Sequence, residues 1–259
     1  MPNQSATTIL HIPHASTLIP ESIRDQYLLT HASLDNELLR MTDHFTDELF
    51  DITQTDTNLT RLIYPVSRLV VDPERFRNDS DELMSNRGMG AVYMRTADGE
   101  PLRRELTGEE REELLVTFYD PHHAALTEMV QESLDQHGKC LIIDCHSFPS
   151  VALRCDLNQE PNRPDICIGT DPFHTPMALM DYAENEFLKQ GWSVGINWPY
   201  AGAIVPMSVY GLDKRVMAIM VEVNRGLYME ESTGEKLAIF DRLQKKLQRC
   251  LMALTRWST

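Results

Sequence analysis

Apolar β-type runs alternate with amphipathic helical stretches along all 259 residues of this chain. The run Cys140–Ile143 follows Gly138 and precedes polar residues, which is typical of a buried strand. We find no internal repeat, linker or low-complexity segment that would divide the chain. The pattern predicts an α/β protein with a single domain over residues 1–259, in which a central mixed sheet lies between helices as a three-layer α/β/α sandwich.

Composition narrows the range of partners. The net charge of -15 argues against nucleic acid and anionic membranes as partners, because both select clustered Lys and Arg. The 5 cysteines form no closely spaced pair, so we expect free thiols and a reducing compartment. Met1–Thr8 lacks the basic flank and apolar core of a signal peptide, and no apolar run approaches membrane-spanning length. We therefore expect a cytoplasmic protein that binds neither nucleic acid nor membranes, and a homo-oligomer is left open.

Local patterns predict the individual elements. We expect strands at Ile9–Ile12, Leu59–Tyr64, Ser67–Val71, Cys140–Ile143, Ile166–Gly169, Ala203–Tyr210 and Val216–Val223. We expect five helices. The first is capped by Ser33 and runs past Phe45 to Leu49, the second is capped by Thr107 with Glu110, and the third is capped by Asp120 with Pro121 and ends at Gly138. The fourth begins at Thr175 and Pro176 and ends at Gly191, and the fifth is capped by Ser232 with Glu235. The leucine stripe of the last helix is expected to be core, and the aperiodic segment Phe76–Leu106 is expected to be a long functional loop such as a lid.

Histidines follow two of the predicted strands, and this suggests a metal site. His14 comes after the first strand and His146 after Cys140–Ile143, so both are expected at the carboxyl edge of one sheet. Catalytic zinc takes three protein ligands from His, Asp and Glu, and Asp43 is the candidate carboxylate. Each residue has a simpler alternative: His11 could merely hydrogen-bond within its strand, Asp43 could be a surface carboxylate, and Asp144 could orient an imidazole. His122 and His123 are expected to be solvated in the first turn of a helix.

An acid and three arginines complete the candidate chemistry. Glu222 ends a very apolar predicted strand, where it could serve as a general base beside a metal. Arg68, Arg75 and Arg225 could bind an acidic substrate, because guanidinium pairs with carboxylate through two parallel hydrogen bonds. The alternative is structural ion pairing with Asp72 or Glu74.

Five short motifs follow one another along the chain: Pro13-His14-Ala15-Ser16, Asp43 with Leu49-Phe50, Ser67-Arg68 with Asp72 and Arg75, Asp144-Cys145-His146-Ser147, and Glu222-Val223-Asn224-Arg225. In this order they resemble the motifs of the N-formylglutamate amidohydrolase family. The chain departs from the family pattern at Ser16, where glycine is usual, and at Glu74, where asparagine is usual. A paired-glycine loop is reduced to Ala201-Gly202-Ala203.

The resemblance implies a phosphorylase/hydrolase-like fold of the zinc-dependent exopeptidase type. It also implies hydrolysis of the N-acyl amide of a small acidic amino acid, such as N-formyl-L-glutamate, by attack of metal-bound water. By position, His14, Asp43 and His146 would bind Zn²⁺ or another divalent metal, with Glu222 as general base and Arg68 polarising the scissile carbonyl. Contacts to substrate would come from Arg75, Arg225, Asn224 and Ser147.

Two other functions are compatible with the same residues. A non-catalytic protein could bind a small acidic ligand on this fold. A cysteine hydrolase could use Cys145, although strand alternation points this side chain away from Asp144 and His146 into the packing, and it would need a histidine base from elsewhere.

Overall fold

A computed structural model describes residues 7–52 and 59–257 and contains a six-stranded sheet. Its strands are β1 (Thr7–Ile12), β2 (Leu59–Ile63), β3 (Cys140–Phe148), β4 (Ile166–Gly169), β5 (Val194–Ile196) and β6 (Val216–Asn224), in the order β2-β1-β3-β6-β4-β5. β2, β1, β3 and β6 are mutually parallel, whereas β4 is antiparallel to β6 and parallel to β5. The predicted mixed sheet is confirmed, and the carboxyl ends of β1, β3 and β6 lie at one edge.

Helices cover both faces of this sheet. They are α1 (His31–Met41), α2 (Thr46–Leu49), α3 (Gly108–Leu114), α4 (Asp120–His137), α5 (Met177–Lys189) and α6 (Phe240–Thr255). Residues of α4 pack with Ile9, Cys140 and Ile142 on one face. Residues of α2, α5 and α6 pack with Leu141 and Ile143 on the other. The predicted three-layer α/β/α arrangement is therefore confirmed, and none of the helices in the described ranges is both long and apolar enough to cross a lipid bilayer.

Alternation along β3 separates the site from the packing. Cys145 is fully buried with Leu141 and Ile143 in the core cluster that α5 and α6 share, as predicted. Asp144 and His146 project from the opposite side of the strand, because successive side chains alternate. The predicted leucine stripe is also confirmed, since α6 buries Phe240, Leu243, Leu247, Leu251 and Leu254.

Two predicted strands are wrong. Residues Ser67–Val71 form turns, in which the Ser67 hydroxyl accepts a hydrogen bond from Leu69 N and its carbonyl accepts one from Val70 N. Such local bonds compete with the pairing of a strand. The segment Ala203–Tyr210 is irregular and ends in a turn at the Pro206 carbonyl. The sequence analysis also missed β5 and a hairpin formed by β7 (Met229–Glu230) and β8 (Glu235–Lys236), whose strands are too short to show a period.

The first predicted helix is broken in two, and this break positions a candidate ligand. Thr30, rather than Ser33, caps α1 by accepting a hydrogen bond from Ser33 N. α1 then ends at Met41, and α2 begins only after Phe45, whose φ of 64° is incompatible with a continuous right-handed helix. The prediction that Asp43 lies on a helix is therefore wrong, because this residue lies in the bend between α1 and α2.

Two predicted caps are also wrong. The capping box of Thr107 with Glu110 and the helix end at Gly138 are confirmed. Asp120, however, is helical and caps nothing, because a π-helical segment (Leu115–Tyr119) joins α3 to α4. This wider turn accommodates Pro121, which cannot donate a backbone hydrogen bond. The predicted box of Ser232 with Glu235 lies in the β7–β8 hairpin instead.

The long segment between β2 and α3 has little regular structure. Apart from a short 3₁₀ helix (Leu83–Arg87), Phe76–Leu106 consists of turns and isolated bridges, as predicted for a long loop. Buried side chains such as Met89 and Tyr93 anchor it in an apolar cluster, and its role as a lid stays a prediction. The segment Met1–Thr8, for which no signal peptide was predicted, lies mostly outside the described residues.

Candidate active site

The structure brings three of the predicted residues together at the carboxyl edge of the sheet. His14 follows β1, His146 lies near the end of β3, and Asp43 lies in the bend between α1 and α2. One potential ligand atom from each of the three lies within 4.8 Å of the others, and all three residues are buried. A backbone hydrogen bond of 2.9 Å from Asp43 N to His14 O holds the bend against the end of β1.

The two imidazoles present the same nitrogen to this point. His14 Nδ1 lies 3.6 Å and His146 Nδ1 3.2 Å from Oδ2 of Asp43. Their other nitrogens contact carboxylates, His14 Nε2 at 2.8 Å from Asp72 and His146 Nε2 at 3.0 Å from Asp144. A histidine that binds a metal typically donates its second N–H to such a group.

Arg225 holds the second oxygen of Asp43. Its guanidinium donates to Asp43 Oδ1 at 2.7 Å, to the Ser147 hydroxyl at 3.2 Å and to the Arg40 carbonyl at 2.6 Å. Burial alone would raise the pKa of Asp43, but the nearby imidazoles of His14 and His146 and the charge of Arg225 bring it well below its usual range. Asp43 is therefore ionised, and Arg225 has few donors left for the predicted contact with substrate.

Glu222 faces the same site from the next strand. It pairs in register with His146 across β3 and β6 and is buried at the wall of the cavity described below. No described residue donates a hydrogen bond to its carboxyl group. Burial raises its pKa to about 8, against the opposing charge of His146. The predicted general base is therefore next to the three ligand candidates and can hold or release a proton near neutral pH.

Asp72 lies next to Arg68 and Arg75, two of the three arginines predicted to bind substrate. Arg68 donates to its Oδ2 at 2.7 Å, so the ion-pairing alternative holds for Arg68. Burial would raise the pKa of Asp72, but Arg68, His14 and Arg75 together hold it well below its usual range. Arg75 Nε lies 3.9 Å from Asp72 and is buried without a hydrogen-bond partner in the described ranges. Of the two guanidinium groups, that of Arg75 is the less committed.

A cavity of about 950 Å³ opens onto the site. His14, Asp43, Asp144, His146, Ser147, Glu222, Arg68, Arg75 and Arg225 line it, together with Tyr200 and Gly202 from the segment after β5. Asn224 does not line the cavity. Its side chain donates to Pro164 O and accepts from Gly226 N, so it stabilises the turn after β6 and is poorly placed for the predicted substrate contact.

Two expectations about individual residues are wrong or superseded. His122 is not solvated but buried, with Nε2 2.8 Å from Nε2 of His11, because the π-helical segment turns it toward the sheet. His123 is half-buried and stacks on Tyr119.

Cys145 cannot act as a nucleophile from its buried position on the far face, where burial raises its pKa well above the usual value. The cysteine hydrolase hypothesis is thus contradicted by the fold.

The sequence analysis missed the role of Asp72. It was considered only as a partner for arginine, whereas it also binds the Nε2 atom of His14. No spacing in the sequence connects the two residues, because a turn brings Asp72 to the end of β1.

Comparisons with known proteins show which family and fold this chain resembles. The family model for N-formylglutamate amidohydrolase matches residues 6–229. The crystal structure of an N-formylglutamate amidohydrolase from Ralstonia eutropha JMP134 superposes with a TM-score of 0.84 at 24% identity, covering 98% of this chain and 94% of that one. A gene product from Agrobacterium tumefaciens superposes with a TM-score of 0.68 at 19% identity, covering 96% and 92% of the two chains.

A search of curated protein sequences gave no significant match. The two structural likenesses show the fold, and the family model spans most of the length over which the site residues are distributed. The chain therefore belongs to the N-formylglutamate amidohydrolase family.

Proposed function

We propose that this protein is a metal-dependent amidohydrolase that cleaves the N-acyl amide of a small acidic amino acid, with N-formyl-L-glutamate as the first candidate. The single observation that carries the proposal is the convergence of His14, Asp43 and His146 on one point of a large cavity. Family membership supports the amide as the bond that is cleaved. The structural neighbour from Ralstonia eutropha, described as an N-formylglutamate amidohydrolase, supports the choice of substrate.

The three donors suit a divalent cation. His14 Nδ1 is buried without a hydrogen-bond partner among the described residues, an arrangement that is costly unless an ion or ligand meets it. Two imidazoles and one carboxylate form a donor set typical of catalytic zinc, which leaves a position for water. A bound cation of this kind lowers the pKa of water and polarises a carbonyl oxygen.

Glu222 is the group that transfers the proton in this proposal. With a pKa near 8, its carboxyl group can accept the proton of the attacking water and return it to the nitrogen that leaves. Its neighbours support this placement, because His146 lies opposite it in the sheet and both residues line the cavity.

Arg68 and Arg75 are the two arginines left for contacts with the substrate, because Arg225 is engaged with Asp43. No described residue accepts a hydrogen bond from Nη1 of Arg68, and this group can stabilise the negative charge that develops on the carbonyl oxygen. Arg75 lines the cavity, and its Nε makes no hydrogen bond to a described residue, so its guanidinium suits a carboxylate of the substrate. The five buried, unpaired cysteines fit the cytoplasmic location that we include in the proposal.

A substrate screen on metal-assayed protein tests the proposal. Purified protein loaded with zinc should release formate from N-formyl-L-glutamate faster than it releases acyl groups from N-acetyl- or N-succinyl-L-glutamate. Glu222→Gln should keep its zinc while the rate falls by about 10²- to 10⁴-fold, the usual contribution of a general base. Full turnover in Glu222→Gln would contradict its assigned role, and equal inertness toward every N-acyl compound would favour a binding protein.

A further inference from the structure

A buried histidine contacts a carboxylate that also contacts one of the three candidate ligands. His11 is fully buried on β1, and its Nδ1 is 2.9 Å from Oδ1 of Asp144. The same oxygen lies 3.0 Å from Nε2 of His146. One carboxylate oxygen therefore connects His11 to a predicted metal ligand.

The proton positions follow from the groups around Asp144. Its Oδ1 faces ring nitrogens of His11 and His146, and its Oδ2 accepts a hydrogen bond from Ile204 N, so this carboxylate is placed to accept hydrogen bonds from every side. Both contacting nitrogens, Nδ1 of His11 and Nε2 of His146, must carry hydrogen. When His146 is neutral, its lone pair is then on Nδ1, the nitrogen that faces Asp43.

His11 is itself fixed from behind by α4. Its Nε2 lies 2.8 Å from Nε2 of His122, and the two rings are 5.0 Å apart. Burial lowers the pKa of His122 to about 2, so this ring is neutral and can accept the hydrogen of His11. A carboxylate oxygen of Glu74 lies 3.2 Å from Nδ1 of His11 as well. The imidazole thus spans from α4 to Asp144 and has little room to turn.

Packing alone does not account for this arrangement. The preceding residue on the same face of β1 is Ile9, which packs against Leu126 of α4 in an apolar cluster. An apolar side chain at position 11 would extend that cluster without the cost of burying an imidazole. The second oxygen of Asp144 accepts a hydrogen bond from Ile204 N, so His11 completes the set of donors that surrounds this carboxylate.

We propose that His11 is a positioning residue for the metal centre: held by His122, it keeps Asp144 oriented to bind the Nε2 hydrogen of His146, so that Nδ1 of His146 is presented to the cation. This inference rests on the proposed function, because it assumes that His14, Asp43 and His146 bind a metal. It assigns a role to His11, for which a hydrogen bond within its strand was the alternative, and to His122, which was expected to be solvated.

Two amide variants of the full-length protein test the inference. In His11→Asn the amide nitrogen occupies the place of Nδ1, so the hydrogen bond to Asp144 is kept. In His11→Gln it occupies the place of Nε2, so the bond to His122 is kept instead. The zinc dissociation constant is measured by competition with a chromophoric chelator, and the melting temperature is recorded for each protein.

We expect zinc binding to weaken by about 10- to 100-fold in His11→Gln, the usual loss when a partner behind a metal ligand is removed. His11→Asn should recover most of the affinity. Nitrogen-15 NMR of histidine-labelled, zinc-loaded wild-type protein should show hydrogen on Nε2 of His146. A merely structural role would lower the melting temperature of both variants and leave their zinc affinities equal to each other, which would overturn the inference.

A neighbouring pair keeps the test decisive if His11→Gln does not fold. His122→Phe removes the partner of His11, whereas His123→Phe removes a ring whose Nε2 lies 2.9 Å from the Pro73 carbonyl. Zinc binding should weaken several-fold in His122→Phe and stay unchanged in His123→Phe. Equal affinities in these two variants would overturn the inference alone, and failure of the wild-type protein to bind zinc would overturn the proposed metal site with it.

Discussion

His14 Nε2 lies 2.8 Å from Oδ1 of Asp72, and this contact determines which nitrogen of His14 faces the candidate metal site. An ionised carboxylate only accepts hydrogen bonds, so Nε2 carries the hydrogen and Nδ1 is the atom left for a ligand bond. His146 and Asp144 repeat the relationship at the end of the neighbouring strand. Each of the two strands thus delivers an imidazole together with a carboxylate that orients it.

Asp72→Asn should weaken zinc binding by about 10- to 100-fold, because an amide can donate to Nε2 of His14 and thereby place the ring hydrogen on Nδ1. The variant also removes the partner of Arg68, so the melting temperature should fall. Titration with zinc against a chelator measures the first effect. Asp213→Asn, which affects the exposed pair with Arg215 and the hydrogen bond that Asp213 accepts from Arg215 N, is the control and should bind zinc as the wild type does.

The buried Glu222 should make the stability of the metal-free protein depend on pH. Its pKa rises from 4.5 to about 8 on folding, so the folded state binds the proton more tightly than the unfolded chain does. Stability should therefore be greatest below the lower value and decrease as pH rises toward 8.

Glu222→Gln should remove this part of the pH dependence. Melting temperatures of the two proteins, measured in the presence of a chelator between about pH 5 and pH 8, test the effect. His11, whose pKa rises to about 9, contributes a further decrease at higher pH in both proteins and cancels in the comparison. Parallel curves for wild type and variant would show that the carboxyl group is not perturbed by burial.

Arg75→Met should lower kcat/KM for N-formyl-L-glutamate by about 10- to 100-fold, since hydrogen bonds to a charged group contribute about 1.5–3 kcal/mol. The loss should be smaller for the substrate amide that lacks the carboxylate bound by Arg75. N-formyl-L-glutamine and N-formyl-L-glutamate α-amide distinguish the two carboxylates. Arg104→Met, which affects an exposed pair with Glu110, serves as the matched control. Equal losses on all three substrates would exclude a direct contact.

Cys145→Ala should keep the turnover of the wild type. The thiol is buried on the face of β3 that packs against α5 and α6, and it donates a hydrogen bond to the Ile143 carbonyl. We expect a loss of about 1 kcal/mol in the free energy of unfolding, typical of a small core truncation. Chemical denaturation and the formate-release assay measure the two quantities, and a variant that folds but does not turn over would revive the cysteine mechanism.

Two of the strands that carry the site, β3 and β6, could be predicted because each contains a continuous apolar run. Cys140–Ile143 and Val216–Val223 are buried on both faces, and such runs are readily recognised. β5 and the β7–β8 hairpin could not be predicted, because strands of two or three residues show no period. Local hydrogen bonds of Ser67 likewise replaced a strand that the apolar pattern had favoured.

The candidate ligands could be proposed from the sequence, but their orientation could not. His14 and His146 follow predicted strands, Asp43 was a candidate carboxylate, and the family resemblance implied all three as ligands. The break at Phe45 that places Asp43 beside them depends on a backbone conformation that no local pattern reveals. Asp72 and His122 reach the site through a turn and a π-helical segment, so their contacts depend on tertiary structure.

The proposed activity depends on one cation bound by three side chains, and a crystal structure of zinc-loaded protein with anomalous data tests this most directly. We predict a single anomalous peak within about 2.0–2.2 Å of Nδ1 of His14, Nδ1 of His146 and a carboxylate oxygen of Asp43. A zinc-loaded crystal with no peak between these residues, or with its peak at other side chains, would contradict the account.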